Sequence, residues 1–361
     1  MVKKKTRATN PKPASIRGIA KLTGFSSTTV SLVLNGRAGD YNISDETRDA
    51  ILAKARELNY QPNIHARNLS SGRSDILGLM VPTLHNRFFG ELAETFEALA
   101  RAEGKLALIH VTRYERAEED NAIRFFLSQN AECIVVANPM APEKIAELCE
   151  GRDTQQIFID ATAEGLRTVS TDNYAAAFEL TRAIIASMAR AGHQGSLVFF
   201  GGTPDHQVTQ LRLKGFRAAL DEAGLPFADT QVIWSAFEPE KCYAAVRDYL
   251  RANAGVAGMF VNSIIAMEGI TRYFPDDPET FRTLHYGVFD ISPNLSLLTD
   301  LNIIGVRQDS QRIMEAAFDL YKSGQPTEGG TVILVPHEMV YGRAFASQRP
   351  GDPVASGAGR D

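Results

Sequence analysis

The sequence predicts a small all-α head followed by a two-lobed, doubly wound α/β body. Three observations carry this. Residues 15–36 (SIRGIAKLTGFSSTTVSLVLNG) place apolar side chains at helical spacing on both sides of Gly24. From Ile76 onward, short apolar runs alternate with helical patterns, as in parallel sheets covered on both faces. The charge is also split. Residues 1–73 hold 13 Lys/Arg against 5 Asp/Glu and the remainder 25 against 38, within a net charge of -5. A basic head on an acidic body implies that one end meets a polyanion and the other does not.

In the head, Ser15 is placed to cap a first helix with Ile16, Ile19 and Ala20 on one face. Gly24 stands where the chain must turn. Ser26 can cap a second helix, in which Val30, Val33 and Leu34 repeat the spacing. The outward face of that helix carries Ser27, Thr28, Ser31 and Leu32, which are small and uncharged. Such a face suits a DNA major groove; the same pattern also fits an ordinary helical hairpin. Ser44, followed by Asp45 and Glu46, starts a third helix with Thr47, Ile51, Ala55 and Leu58 as its buried stripe. The 37–42 loop before it is long for so small a bundle. Arg17, Lys21, Arg37, Arg48, Lys54, Arg56 and Arg67 are interleaved with apolar positions, so the basic charge is not confined to an arm. Residues 1–14 are expected to be a disordered basic arm, 15–61 a helix-turn-helix domain and 62–74 a hinge. That hinge is either a plain linker or a segment that turns helical on DNA, with Leu69 as an apolar wedge.

In the body, strands are expected at 76–81, 106–111, 133–137, 157–159, 197–200, 232–234, 259–261, 286–289 and 303–306. Helices are expected at 89–103, 118–129, 175–191, 211–223, 240–252, 264–273 and 311–323. So many strands suggest two lobes, spanning 75–347, with 348–361 a disordered Pro/Gly-rich tail. Composition is that of a soluble globular protein, 44% hydrophobic and 22% charged. There is no apolar run near membrane-spanning length, and the charged N-terminus lacks a signal-peptide core. Cys133, Cys149 and Cys242 are widely spaced and read as reduced, structural thiols of a cytoplasmic protein. No HExxH, GxSxG, Walker or GxGxxG signature appears; Gly201-Gly202 reads as a strand-end turn. His110, His193, His285 and His337 are scattered along the chain. No catalytic residue, cofactor or metal is therefore expected.

The segments IRGIAKLTGFSSTTVSLVLNG, SDETRDAILAKARELNYQPNIHARNLSSGRS, ILGLMVPTLHNRFFGEL and LRLKGFRAAL together resemble the LacI/GalR family of bacterial transcription regulators. The resemblance runs from about Ser15 to Phe345. It implies a periplasmic-binding-protein-like body that binds a small effector, and a head that binds a palindromic operator as a homodimer in the cytoplasm, at the nucleoid. By that resemblance Ser27, Thr28 and Leu32 read bases, while Arg17, Ser26, Thr29, Ser31 and Asn35 position the helix. Asn63, Ala66, Arg67 and Leu69 belong to a hinge helix in the minor groove. Many members carry Arg at the place of Leu32, so the operator is expected to differ there, an apolar contact replacing a bidentate bond to guanine.

The resemblance also implies an effector cleft at the carboxyl ends of the strands. His85, Arg87, Phe88 and Phe89 come from the loop after the first strand, and either phenylalanine could instead be helix-entry core. Asp160 and Asp290 would accept hydroxyl hydrogen bonds, Phe237 would cover the ligand, and His206 precedes Arg212. Arg212 is expected to face the cleft; its alternative is a surface ion pair. The long RAGDYNIS loop and the Ser263-Ile264 pair resemble the fructose and sucrose repressor branch, so a sugar or sugar phosphate is the expected effector. That branch has Arg after its strand-end Asp, where this chain has Ala161. Arg87, His85 or His206 are the available substitutes for the missing cation.

Overall fold

The computed structural model describes residues 15–60, 74–161, 163–291, 301–324 and 329–342. The basic arm, the tail, and Asn63, Ala66, Arg67 and Leu69 of the expected hinge lie outside the described residues. The chain divides between Ser74 and Asp75 into two compact units.

The first unit contains helices α1 (Ile16–Thr23), α2 (Ser27–Leu34) and α3 (Asp45–Glu57). Each starts at a serine whose hydroxyl accepts a backbone N–H. Ser15 takes that of Gly18 at 3.1 Å, Ser26 that of Thr29 at 3.0 Å and Ser44 that of Thr47 at 3.3 Å. Each cap satisfies a donor that the helix itself cannot, a contribution of about 1 kcal/mol. Gly24 ends α1 at φ 77, where a side chain would be strained. Ile19, Val30, Val33, Ile51 and Ala55 meet in the core. The long loop adds Ala38 to that core, and its Arg37 donates to Asp40 and to Tyr41.

The second unit has two lobes, each built on a six-stranded sheet. The first sheet holds β1 (Ile76–Val81), β2 (Leu106–Val111), β3 (Cys133–Ala137), β4 (Gln155–Ile159), β5 (Arg167–Thr171) and β11 (Thr331–Val335). Its order is β11-β5-β4-β3-β1-β2, all parallel. Helices α4 (Arg87–Ala102), α5 (Arg116–Ser128), α6 (Pro142–Cys149) and α12 (Ser310–Ser323) cover it. The second sheet holds β6 (Ser196–Phe200), β7 (Val232–Ile233), β8 (Val256–Val261), β9 (His285–Phe289), β10 (Asn302–Arg307) and β12 (Glu338–Tyr341). Its order is β12-β10-β9-β8-β6-β7, with β12 antiparallel at the edge. Helices α7 (Asn173–Ala191), α8 (Gln207–Glu222), α9 (Pro239–Ala252), α10 (Ile264–Tyr273) and α11 (Pro278–Thr283) pack around it. The chain passes between the lobes three times, at 171–173, 307–310 and 335–338. Gly215 permits the tight α7–α8 packing: a Cβ there would lie 2.3 Å from the Tyr174 carbonyl oxygen.

Among the described residues every strand and helix expected in the head and body is present, with small shifts at the ends. Three strands and two α-helices among the described residues were not expected. β5 (RTVST) is too polar to read as a strand, yet all five residues are buried. Its Arg167 donates to the Gln155 side chain and to the Leu320 carbonyl, which satisfies the guanidinium inside the fold. β11 and β12 are edge strands whose partners lie far away in sequence. α6 and α11 are short helices opened by Pro142 and Pro278, where the proline gives a start but little periodic length follows. Cys133, Cys149 and Cys242 are free and buried, as expected. Two of the scattered histidines meet: His285 bonds Ser187 at 2.6 Å through Nδ1 and His193 at 2.9 Å through Nε2.

Candidate effector chamber and nucleic-acid face

In the second unit, the parallel strands of both lobes end on polar residues. Asn138 follows β3, Asp160 follows β4, Asn262 and Ser263 follow β8, Asp290 follows β9 and Gln308 follows β10. Asn138, Asp160 and Asp290 have φ of 52, 54 and 60, a left-handed conformation that Asn and Asp tolerate better than most residues. The kink takes each side chain out of the strand's alternation. All of these residues line one small inner chamber between the lobes. Asn86, Phe88, Phe89, Tyr114, His206, Val208, Thr209, Arg212 and Phe237 complete the lining. Gly202, at φ 75, makes room for two of its walls: a Cβ there would lie 2.6 Å from both Asn262 Nδ2 and Thr209 Oγ1.

Arg212 is the chamber's cation. It is 4% exposed, its Nε donates to Asn173 Oδ1 at 2.8 Å and its Nη1 to the Asn262 carbonyl at 2.6 Å. Its guanidinium carbon lies 3.8 Å from the centroid of the Phe289 ring, a close cation–π contact. The alternative of a surface ion pair is thereby ruled out. Burial lowers the Arg212 pKa, against which Asp290, Asp160 and Tyr114 raise it. Asp160 Oδ1 accepts from Ser170 Oγ at 2.6 Å and from Asn173 Nδ2 at 3.2 Å. Burial nonetheless raises the pKa of Asp160. Asp290 accepts from Asn86 Nδ2 at 3.1 Å and from Gln308 Nε2 at 2.7 Å, so the first of these bonds joins the lobes.

Several polar atoms of the chamber are buried without a protein partner: Asn138 Oδ1, both ring nitrogens of His206, Asn262 Oδ1 and Gln308 Oε1. Such groups are costly unless a water or ligand satisfies them. Burial, and secondarily Arg212, lowers the His206 pKa to about 4, so its ring is neutral at pH 7. Tyr114 stacks on Phe237 across the lobes at 4.9 Å and 13°, and His206 meets the same phenylalanine edge-on. These three residues also line a much larger outer cleft. The aromatic pair therefore partitions the space between the lobes.

The structure brings Asp160, His206, Arg212, Phe237 and Asp290 together, as the sequence led us to expect. Phe88 and Phe89 are at once chamber wall and core, which resolves that alternative in favour of both. His85 and Arg87 are not in the chamber. His85 is exposed on the outer cleft. Arg87 lies beyond Phe88, half-exposed and paired with Glu91 at 2.6 Å, because α4 turns its side chain onto its own next turn. Neither side chain lines the inner chamber. Sequence reasoning placed Asn86 in the wall loop without giving it a role, and missed Tyr114, Asn138, Asn262 and Gln308. The available signal was a polar residue at the end of an apolar strand run, in one strand after another.

In the first unit, Arg17, Ser26, Ser27, Thr28 and Asn35 are exposed, while Thr29, Ser31 and Leu32 are half-buried. Ser26 and Thr29 hydroxyls bond each other at 2.8 Å, and Asn35 Nδ2 donates to Ser31 Oγ at 3.3 Å. These pairs brace the helix. Ser27 and Thr28 project freely, and Leu32 is absent from the apolar cluster inside the bundle.

A body of two such lobes closing on a polar chamber is a binding-protein domain, and the three-helix head is a helix-turn-helix module. Residues 77–322 match the periplasmic binding protein domain family, and residues 15–63 match the lacI family of bacterial regulatory proteins. The chain belongs to the lacI family. The sucrose operon repressor of Klebsiella pneumoniae is 29% identical over 86% of this chain and 91% of that protein. The fructose operon regulatory protein of Vibrio cholerae is 28% identical over 89% and 97%. The lac repressor dimer bound to operator and the anti-inducer ONPF has the same fold, with a TM-score of 0.74 at 18% identity over 92% of this chain and 99% of that one. Among the described residues no helix is long and apolar enough to cross a membrane.

Proposed function

We propose that this lacI-family regulator binds a palindromic operator as a cytoplasmic homodimer, at the nucleoid, and that a small effector in the inner chamber sets its affinity. The carrying observation is the chamber itself. Buried polar atoms wait there without partners, around an arginine that shares the lining with two aspartates. That arrangement suits a polar metabolite, and the sucrose and fructose operon regulators make a sugar or sugar phosphate the natural class. No reacting constellation accompanies it: Arg212 is bonded to protein groups, and the neutral His206 has no hydrogen-bonded nucleophile or acid beside it. An effector changes DNA affinity only through its different affinity for two states of the protein. Parting of the lobes, which breaks the Asn86–Asp290 bond and the Tyr114–Phe237 stack, supplies two such states.

On the DNA side, the exposed Ser27 and Thr28 and the apolar Leu32 are the base-reading set. The hinge residues Asn63, Ala66, Arg67 and Leu69 remain part of this proposal on sequence grounds. The test is fluorescence anisotropy of the full chain with DNA from its own upstream region, over a salt series. Affinity should fall at least tenfold between about 50 and 200 mM salt, because phosphate neutralisation releases counterions. Leu32→Arg should move the preference at one base pair of each half-site toward G·C, by roughly 1–3 kcal/mol. An unchanged base preference would remove Leu32 from the reading set, and salt-independent binding would remove the DNA-binding role.

A further inference from the structure

We propose that the inner chamber takes an uncharged, hydroxyl-rich ligand, a polyol or unphosphorylated sugar, and rejects its phosphorylated form. This rests on the reading of the chamber as the effector site and narrows it. The first argument is the set of fixed acceptors. The unpartnered Asn262 Oδ1 and Gln308 Oε1 can only accept, and the Asn262 amide is fixed in that sense because its Nδ2 donates to Thr209 Oγ1. The Gln308 amide is fixed in that sense because its Nε2 donates to the Asp290 carboxylate. Asp160 and Asp290 add further acceptors. A phosphate dianion also only accepts, so it would leave these oxygens without a donor. A hydroxyl can donate to these oxygens and in turn accept from Arg212 or from the protonated nitrogen of His206.

The second argument is charge. Among the described residues the chamber's lining holds one cation, Arg212, against two aspartates. Two of the guanidinium N–H groups are already spent on Asn173 and the Asn262 carbonyl. His206 adds no charge, since burial keeps its ring neutral at pH 7. Arg87 stands outside the Phe88 wall and is matched by Glu91. A dianion entering this space would find no second cation and would face two carboxylates in a low-dielectric setting.

The test is thermal unfolding and calorimetric titration of the full chain at pH 7.5. The probes are matched pairs: fructose and fructose 1-phosphate, glucitol and glucitol 6-phosphate, ribitol and ribitol 5-phosphate, sucrose and sucrose 6-phosphate, with inorganic phosphate alongside. At least one unphosphorylated member should raise Tm and bind at least tenfold tighter than its phosphorylated partner, and inorganic phosphate should do nothing. Asp160→Asn removes one carboxylate and should narrow that ratio. A phosphorylated member that binds as well as or better than its partner overturns the proposal. No response to any neutral probe, with DNA binding intact, overturns this ligand class and leaves the regulator standing. Failure to bind DNA under any condition defeats the regulator reading itself, and this inference with it.

Discussion

Arg212→Met should abolish the effector response, lowering ligand affinity at least 100-fold, about 2.7 kcal/mol, while DNA binding persists. Methionine fills much of the arginine's volume over the Phe289 ring but offers no donor. The substitution strands Asn173 Oδ1 and the Asn262 carbonyl, and leaves Asp160 and Asp290 facing each other without their cation. Breaking a buried charge arrangement typically costs about 3–5 kcal/mol of stability. The cost should be smaller at pH 5 than at pH 7, because burial already raises the Asp160 pKa and protonation then relieves the repulsion. Calorimetry with the bound sugar and urea unfolding at the two pH values measure both effects. A variant that binds and responds like the parent would remove Arg212 from the site.

Acid should destabilise the second unit well before its exposed carboxylates titrate. His206 and His285 both have folded-state pKa values lowered to about 4, chiefly by burial, with Arg212 adding to the effect at His206 and His193 then Arg190 at His285. In the unfolded chain each returns to about 6.5. The unfolded state therefore binds more protons between these values. The stability that the neutral rings contribute is complete above about pH 6.5 and is lost as pH falls toward 4. Asp160 and Glu119, whose pKa values burial raises, work the opposite way and offset part of the loss. A net decline of about 2 kcal/mol between pH 7 and pH 5 is expected from urea midpoints. His285→Asn, which cannot charge, should show a smaller decline than the parent. Equal stability at the two pH values would contradict the assignment of both rings as buried and neutral.

The readable part of the fold was the part with a local signal. β1, β2 and β3 are continuous apolar runs, and their bounds match the expectation residue for residue. The three helix caps of the head were visible as Ser15, Ser26 and Ser44 ahead of apolar spacing. β5 was invisible because its buried arginine is satisfied by Gln155 and by a carbonyl 153 residues away. β11 pairs with β5 over a comparable separation, and no local pattern encodes that. The site divides in the same way. Asp160, His206, Arg212, Asp290 and the three phenylalanines came from the family resemblance, whereas Tyr114 carries no local mark. Asn86, Asn138, Asn262 and Gln308 are single amides at strand or loop ends, with no periodicity to mark them. Arg87 misled because a basic residue on the right loop points away once α4 begins.

The account depends on one coupling: occupation of the chamber must be felt by the head. Measuring the affinity of the full chain for its upstream DNA, with and without the saturating neutral sugar that gives the largest Tm rise, tests it directly. The account predicts a change of at least tenfold, about 1.4 kcal/mol of coupling. The same sugar should leave the DNA affinity of Arg212→Met unchanged. An identical DNA affinity for the parent in both conditions, with calorimetry showing the chamber full, would contradict it.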